Sequence, residues 1–453
     1  MECCIDEYFS PSYRVARGRF LDAAAAAGFE LESLCLPEKM GPDGEPLFID
    51  IAFSRGSALR PGESPDALFL HSSGTHGVEG YIGSAIQLSL LAQAASGSRP
   101  ELCPPARGMT VFIHAVNPFG FAWNRRFTAS NCDLNRNWLV PARFVELAKQ
   151  GVPALFERFR GLIAPDYVPD PDSWSEWLYV RASAGIAIAQ CGLDALKEAV
   201  AAGHHSDPEA MYFGGAELCE EPRLIVAALR RIGALQEVAA DAPGEPAEGE
   251  AAWQPWGASD AGGLFEGLRG PARLVSVDVH SGLGEAGQSS LLLSGTEGGE
   301  EAATIRRALG LAAHDAAAGP KSACVQDASA LGSAGVAYTT RGGFSEALAS
   351  VPGPAGLPVG AEPSPAAYSG VRPADRVCIA QEFGTVPTTD VFFALRAENA
   401  LYQSDETAPP SHPLRQQLRA AFFPDDAAWR RECLAQGVTV AVGLAAHAFA
   451  GRD

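Results

Sequence analysis

The chain has 453 residues, 47% of them hydrophobic, enough to bury one large core or two ordinary ones. Its formal charge of -20 at pH 7 argues against nucleic acid and anionic membranes as partners, because both repel an acidic surface. Ten scattered cysteines without a C-x-x-C spacing argue against a zinc ribbon, a redox pair and a disulfide scaffold, and they fit a reducing cytoplasm.

The opening MECCIDEYFSPSYRVARGRF is acidic and mixed, so no signal peptide is expected. No apolar run reaches the roughly 18 residues of a bilayer span. Residues 11–28 place Val15, Phe20 and a series of alanines at helical spacing and stop at Gly28. LESLCLP and PLFIDIAF alternate as strands around the turn GPDGEP, which predicts a hairpin at a sheet edge.

Residues 67–71 (ALFLH), 109–115 (MTVFIHA) and 273–279 (RLVSVDV) are short apolar runs bounded by turn residues, the pattern of strands buried on both faces. Residues 290–293 and 376–381 (RVCIAQ) supply two more strands, and a helix over 79–95 follows the first run. The expected fold class is therefore α/β, a mixed and largely parallel central sheet flanked by helices. Ligands collect at the carboxyl ends of such strands, where His76, Asn117, His280 and Glu382 all stand. We expect one catalytic domain over 1–453. A helical insertion over 140–272 includes helices at 142–160 and 194–202 and a flexible linker near 239–263. Residues 350–374 form a second Pro/Gly-rich loop.

His76 and Glu79, three residues apart where a helix begins, can direct an imidazole and a carboxylate at one metal ion. His280, in VDVHSGLG, closes a strand and is followed by small residues that let its ring face a cleft. Two histidines and a carboxylate leave a fourth tetrahedral position for water, as in catalytic zinc sites. Glu382, in IAQEFGT, is expected to be partly desolvated, with the raised pKa that suits a general base. Asp278 is either simply buried or orients a ligand histidine. In WNRRFTASNCDLNRNW, Arg125, Arg126 and Arg136 form an expected anion site, since guanidinium groups bind carboxylates through paired hydrogen bonds. His204 and His205 read as an exposed helix cap. No G-x-S-x-G or P-loop string occurs.

Taken in order, His76-x-x-Glu79, Asn117-Pro118 with Gly120-Phe121, Asp133-Leu-Asn135-Arg136-Asn137, a strand-end His280 and a late Glu382 resemble the zinc carboxypeptidases related to carboxypeptidase A. The wording SGTHGVEG, GSAIQ, DLNRNW, the Tyr212-Phe213-Gly214-Gly215 turn, VDVHSGLG and QEFGT resembles most closely a bacterial-type branch of that clan whose function is unknown. The resemblance implies that His76, Glu79 and His280 hold Zn2+ and that Glu382 activates water. It further implies that Arg126 or Arg125 stabilises the oxyanion and that Asn135 and Arg136 clamp a substrate carboxylate. The stretch from Arg136 to His280 is longer than in the digestive enzymes, consistent with a subdomain that restricts substrates to small ones. The substrate-closing tyrosine has two candidates, Tyr338 and Tyr368.

The expected activity is carboxypeptidase-like hydrolysis of an amide bond beside a free carboxylate, on small peptides or peptide-like substrates. One alternative is an N-acyl amino acid deacylase of the aspartoacylase or succinylglutamate desuccinylase type. The other is a catalytically silent protein that binds a peptide or small acid.

Overall fold

Ser12 accepts a hydrogen bond from the Val15 N–H and starts α1 (Tyr13–Ala26); Gly28, at φ 74°, turns the chain after it. β1 (Glu30–Met40) and β2 (Pro46–Arg55) then form the antiparallel hairpin at one sheet edge. The computed structural model describes residues 5–170, 172–237, 268–293, 300–311, 324–327, 342–351 and 375–451. The expected linker over 239–263, Tyr338, Tyr368 and most of the 350–374 loop lie outside them.

β3 (Ala67–Ser73), α2 (Gly80–Ala95) and β4 (Gly108–His114) make a parallel crossover unit, and the short α3 (Pro118–Trp123) follows. The helix expected over 142–160 is broken. α4 (Pro141–Gln150) ends at Gly151, at φ 69°, and Pro153 precedes α5 (Ala154–Arg158). α6 (Arg160–Ile163), α7 (Trp174–Cys191), α8 (Leu193–Ala201) and α9 (Glu220–Arg231) continue the helical stretch. A short antiparallel pair, β5 (Gln236–Glu237) with β6 (Leu268–Arg269), precedes β7 (Arg273–Gly282). Next come β8 (Ser289–Leu293), α10 (Glu300–Ala308), β9 (Cys324–Asp327), α11 (Phe344–Ala349) and β10 (Arg376–Gly384). Three helices close the chain: α12 (Thr388–Ser404), α13 (Pro413–Phe422) and α14 (Ala427–Phe449).

The main sheet runs β1-β2-β4-β3-β7-β10-β8-β9, with β4, β3, β7 and β10 parallel to one another at its centre. From β3 the chain moves one way to β4, and later returns on the other side through β7. This reversal opens a crevice at the carboxyl ends of β3 and β7, the place where α/β sheets bind ligands.

Alternating side chains feed two cores. Phe69, Phe112, Val275, Val277 and Val279 pack with α1, α2 and α14 on one face. Leu68, Leu70, Val111, Ile113 and Leu274 pack with α9 and α11 on the other. Each fully buried side chain of this size contributes about 1.5–3 kcal/mol, and burial on both faces explains why these strands read as continuous apolar runs. α9 therefore belongs to a sheet-covering layer. Phe156, Ile163 and Val200, from the preceding helices, pack instead against Val391 and Leu395 of α12 and Phe422 of α13.

α14 is long and apolar enough to cross a bilayer by length and composition. Gln436, Thr439 and His447 interrupt it in the sequence, so no unbroken apolar run announces it. It packs against α2, β3 and β7 as a core helix.

Candidate metal centre

The loop after β3 carries the first half of the site. Gly77 passes so close to α3 that a Cβ there would stand 2.1 Å from the Gly120 carbonyl carbon. The Gly77 and Val78 N–H groups donate to the Arg126 and Arg125 carbonyls at 3.2 and 2.8 Å, which fixes this loop beside the arginine segment. His76 caps a single 3-10 turn, Gly77–Glu79, which brings its ring, on the crevice wall, to 3.0 Å from the Glu79 carboxylate.

His280 and Glu382 do not follow their strands, as the sequence suggested, but lie within them, because β7 and β10 extend to Gly282 and Gly384. They are direct partners in the parallel register. The sheet thus sets the relative position of a ligand and a carboxylate that are far apart in sequence.

His76, Glu79 and His280 are buried and present three ligand atoms within 4.8 Å of one another. The two Nδ1 atoms are 3.2 Å apart, and the Glu79 oxygens stand 3.0 Å from each ring. The outer nitrogens face carboxylates. His76 Nε2 lies 3.0 Å from Asp133 Oδ1, and His280 Nε2 lies 2.8 Å from Asp278 Oδ2. Asp278 accepts the His280 Nε2 proton and turns that ring's Nδ1 lone pair inward, whereas His76 Nε2 stands between Asp133 and an Arg126 guanidinium nitrogen 2.8 Å away. Two ring nitrogens 3.2 Å apart with a carboxylate beside both form a donor set that suits a metal ion.

Charges around the group are balanced one by one. Burial raises the Glu79 pKa, but His76 and His280 outweigh it and hold the carboxyl well below the usual range. Asp133 is raised by burial, yet Arg126 and then His76 bring it well below its ordinary value. Asp278 is also pushed up by burial and brought down by His280, assisted by hydrogen bonds from Ser72 and Thr75. Glu382 behaves differently. Burial and the neighbouring Glu79 charge lift its pKa to about 7, although the Leu283 N–H donates to it at 2.9 Å.

The adjacent arginines part company. Arg126 lines the crevice, donates to Glu79 Oε1 at 3.1 Å and Asp133 Oδ2 at 3.2 Å, and lies over the Tyr212 ring. Arg125 is turned into the protein. It is fully buried against Glu398 at 2.7 Å, with its guanidinium over Tyr402, so its charge is structural and does not reach the crevice. Asn135 is on the crevice wall, and its Oδ1 accepts from the Phe344 N–H. Arg136 is fully buried, and its guanidinium donates to the backbone carbonyls of Ala201 and Asn135. This placement, outside the crevice wall, does not match the expected carboxylate clamp.

His204 and His205 are buried, not exposed as a cap. Their rings donate to the Met211 and Gly215 carbonyls at 3.0 and 2.8 Å and so hold the Tyr212–Gly215 turn. His71 and His114 also have buried partners, Gln87 and Ser84. Asp133 is the residue that motif reading misses as a partner of His76. Its only signal is a carboxylate opening the DLNRN string.

The crevice widens into a cavity of about 520 Å³ bounded by the site, α7, α8 and α12. The fold and these residues define an α/β protein with a buried two-histidine, one-glutamate candidate metal centre. The chain belongs to the family described as protein of unknown function (DUF2817), whose model matches residues 9–240 and 364–436. No curated protein matches it. Among solved structures the chain is similar to bovine thrombin-activatable fibrinolysis inhibitor in complex with tick carboxypeptidase inhibitor, at 11% identity, 97% coverage of each chain and a TM-score of 0.44. It is similar to carboxypeptidase A from Helicoverpa armigera at 11% identity, 98% coverage of this chain, 74% of that chain and a TM-score of 0.41. It is also similar to metallo-carboxypeptidase from Burkholderia cenocepacia at 11% identity, 97% coverage of this chain, 70% of that chain and a TM-score of 0.40.

Proposed function

We propose that this chain is a zinc-dependent, carboxypeptidase-like hydrolase that cleaves an amide bond beside a free carboxylate, on small peptides or peptide-like substrates. The observation that carries this reading is Glu382, a buried carboxylate with a pKa raised to about 7, paired in register with His280 at the rim of the candidate metal centre. A protein that only held a ligand would have no use for a base there.

The ligand set supports zinc. Tetrahedral coordination with Zn–N bonds of about 2.0–2.1 Å separates two nitrogens by about 3.3 Å, and the Nδ1 atoms of His76 and His280 are 3.2 Å apart. When bound, zinc would polarise a carbonyl and lower the pKa of water. Glu382 accepts a proton from the attacking water and delivers it to the leaving nitrogen. Arg126, held in place by Glu79 and Asp133, sets a guanidinium charge on the wall where the carbonyl oxygen becomes anionic. Asp278 keeps the His280 imidazole in the tautomer that binds metal.

The N-acyl amino acid deacylase reading keeps specific support, because α7 and α8 bound the cavity and favour a small substrate over a long chain. A panel of dipeptides and N-acyl amino acids, scored for which acid is released, separates the two readings. Glu382→Gln should retain zinc, measured by plasma mass spectrometry, while hydrolysis falls by about 10²–10⁴-fold. Unchanged hydrolysis with zinc retained would end the assignment of the base.

A further inference from the structure

The cavity beside the candidate metal centre is apolar over much of its wall. Leu193, Leu196 and Val200 of α8 enter it with Ile188 of α7 and Phe392 of α12. On α8 the lining positions 193, 196, 197, 200 and 201 fall at i, i+3, i+4, i+7 and i+8, which is one face of the helix. That stripe is hydrophobic except at Lys197.

Lys197 is half-buried, and among the described residues no carboxylate lies within ion-pairing distance of it. The other cation on the described wall is Arg126, which is engaged with Glu79 and Asp133. Glu285, Glu346 and Glu382 also face the cavity, so away from Arg126 and the candidate metal centre Lys197 is the cation that the described wall offers a carboxylate. Meanwhile α8 occupies Arg136. The Ala201 carbonyl, at the end of the helix, accepts from its guanidinium, and Gly203 lies against its side chain. One helix thus covers the expected clamp and, one turn earlier, offers a different cation on the open wall.

We propose that Lys197 receives the substrate carboxylate and that the apolar faces of α7 and α8 receive the substrate's hydrocarbon part. The substrate class is a small monoacid amide with a bulky apolar acyl or side chain. This assignment rests on the reading of the site as a hydrolase that acts beside a free carboxylate. The cation in the apolar stripe supplies charge recognition, and its surroundings reject polar side chains through the cost of leaving them unpaired.

The test is titration calorimetry of 4-phenylbutanoate and of 4-phenylbutanamide, the neutral analogue, on the zinc-loaded protein. Wild type should bind the carboxylate at least tenfold more tightly than the amide. Lys197→Ala should reduce that preference to below twofold while the amide binds as before, and Lys197→Arg should restore it. With a hydrolysed apolar N-acyl amino acid, the loss in Lys197→Ala should fall on KM and not on kcat. A carboxylate preference that is absent in wild type, or that survives in Lys197→Ala, overturns the proposal. The two readings fail separately. Loss of the preference with Lys197, in a protein that hydrolyses nothing, supports this binding site and defeats the proposed reaction.

Discussion

Asp278→Asn changes one atom at the back of the candidate metal centre. In the native chain the Ser72 hydroxyl donates to Asp278 at 2.7 Å, the Thr75 hydroxyl at 2.9 and 3.0 Å, and His280 Nε2 stands 2.8 Å away. The carboxylate only accepts, so all these protons point at it. An asparagine must turn its NH2 either to the two hydroxyls or to the ring. Facing the hydroxyls, it forces both to rotate and become acceptors. Facing the ring, it drives the proton to Nδ1, where the lone pair is needed for metal. Loss of such a partner costs about 10–100-fold in metal affinity, or roughly 1.4–2.8 kcal/mol. Competition with a chromophoric chelator at pH 7.5 measures this directly, with circular dichroism to show an intact fold. A folded Asp278→Asn protein that binds zinc within twofold of wild type would refute the idea that this carboxylate orients His280.

Three further outcomes are expected. Glu221 is buried in the first turn of α9 with a pKa raised to about 7 by burial, so the folded state holds a proton that the unfolded state releases. That contribution is present at low pH and is lost as pH rises from about 4.5 through 7, and Glu221→Gln should flatten this fall in thermal-melt profiles by up to about 3 kcal/mol. Arg125→Met leaves Glu398 buried with Arg415 as its remaining cation at 3.6 Å; denaturant unfolding should show a loss of about 3 kcal/mol, with zinc affinity unchanged. Gly77→Ala sets a Cβ against the Gly120 and Phe121 backbone; it should cost about 1–3 kcal/mol in stability and weaken zinc binding through His76, and a native-like zinc affinity would contradict the packing described.

Local spacing makes part of the site legible in the chain itself. His76 and Glu79 are three residues apart, so their meeting requires only one turn of chain. His280 and Glu382 can be named as strand-end residues, but their pairing depends on the β7–β10 register. Arg125 and Arg126 cannot be told apart in sequence. Asn124, in the left-handed region at φ 54°, ends α3 and reorients the chain, after which one guanidinium goes inward to Glu398 and the other to the crevice. The alternation of the strands and the edge hairpin are readable because each strand face has a neighbour to bury against. Lys197 is not, since the stripe that contains it shows its meaning only when placed on the wall of the cavity that His76 and His280 also line. His204 and His205 look exposed because polar pairs after a helix usually are; here the Tyr212–Gly215 turn folds back over them.

The parallel pairing of β3 with β7 also matters for how this chain folds. It brings Glu79 to within 3.0 Å of a ring 201 residues later. Closing a loop of that length costs about 4.7 kcal/mol in its length-dependent part, and the sheet must meet that cost before His76, Glu79 and His280 can act together. An ion held by all three would then tie the two halves of the chain together. Its removal should be felt first as faster local opening of β7, read by hydrogen exchange, ahead of any change at the β1–β2 edge.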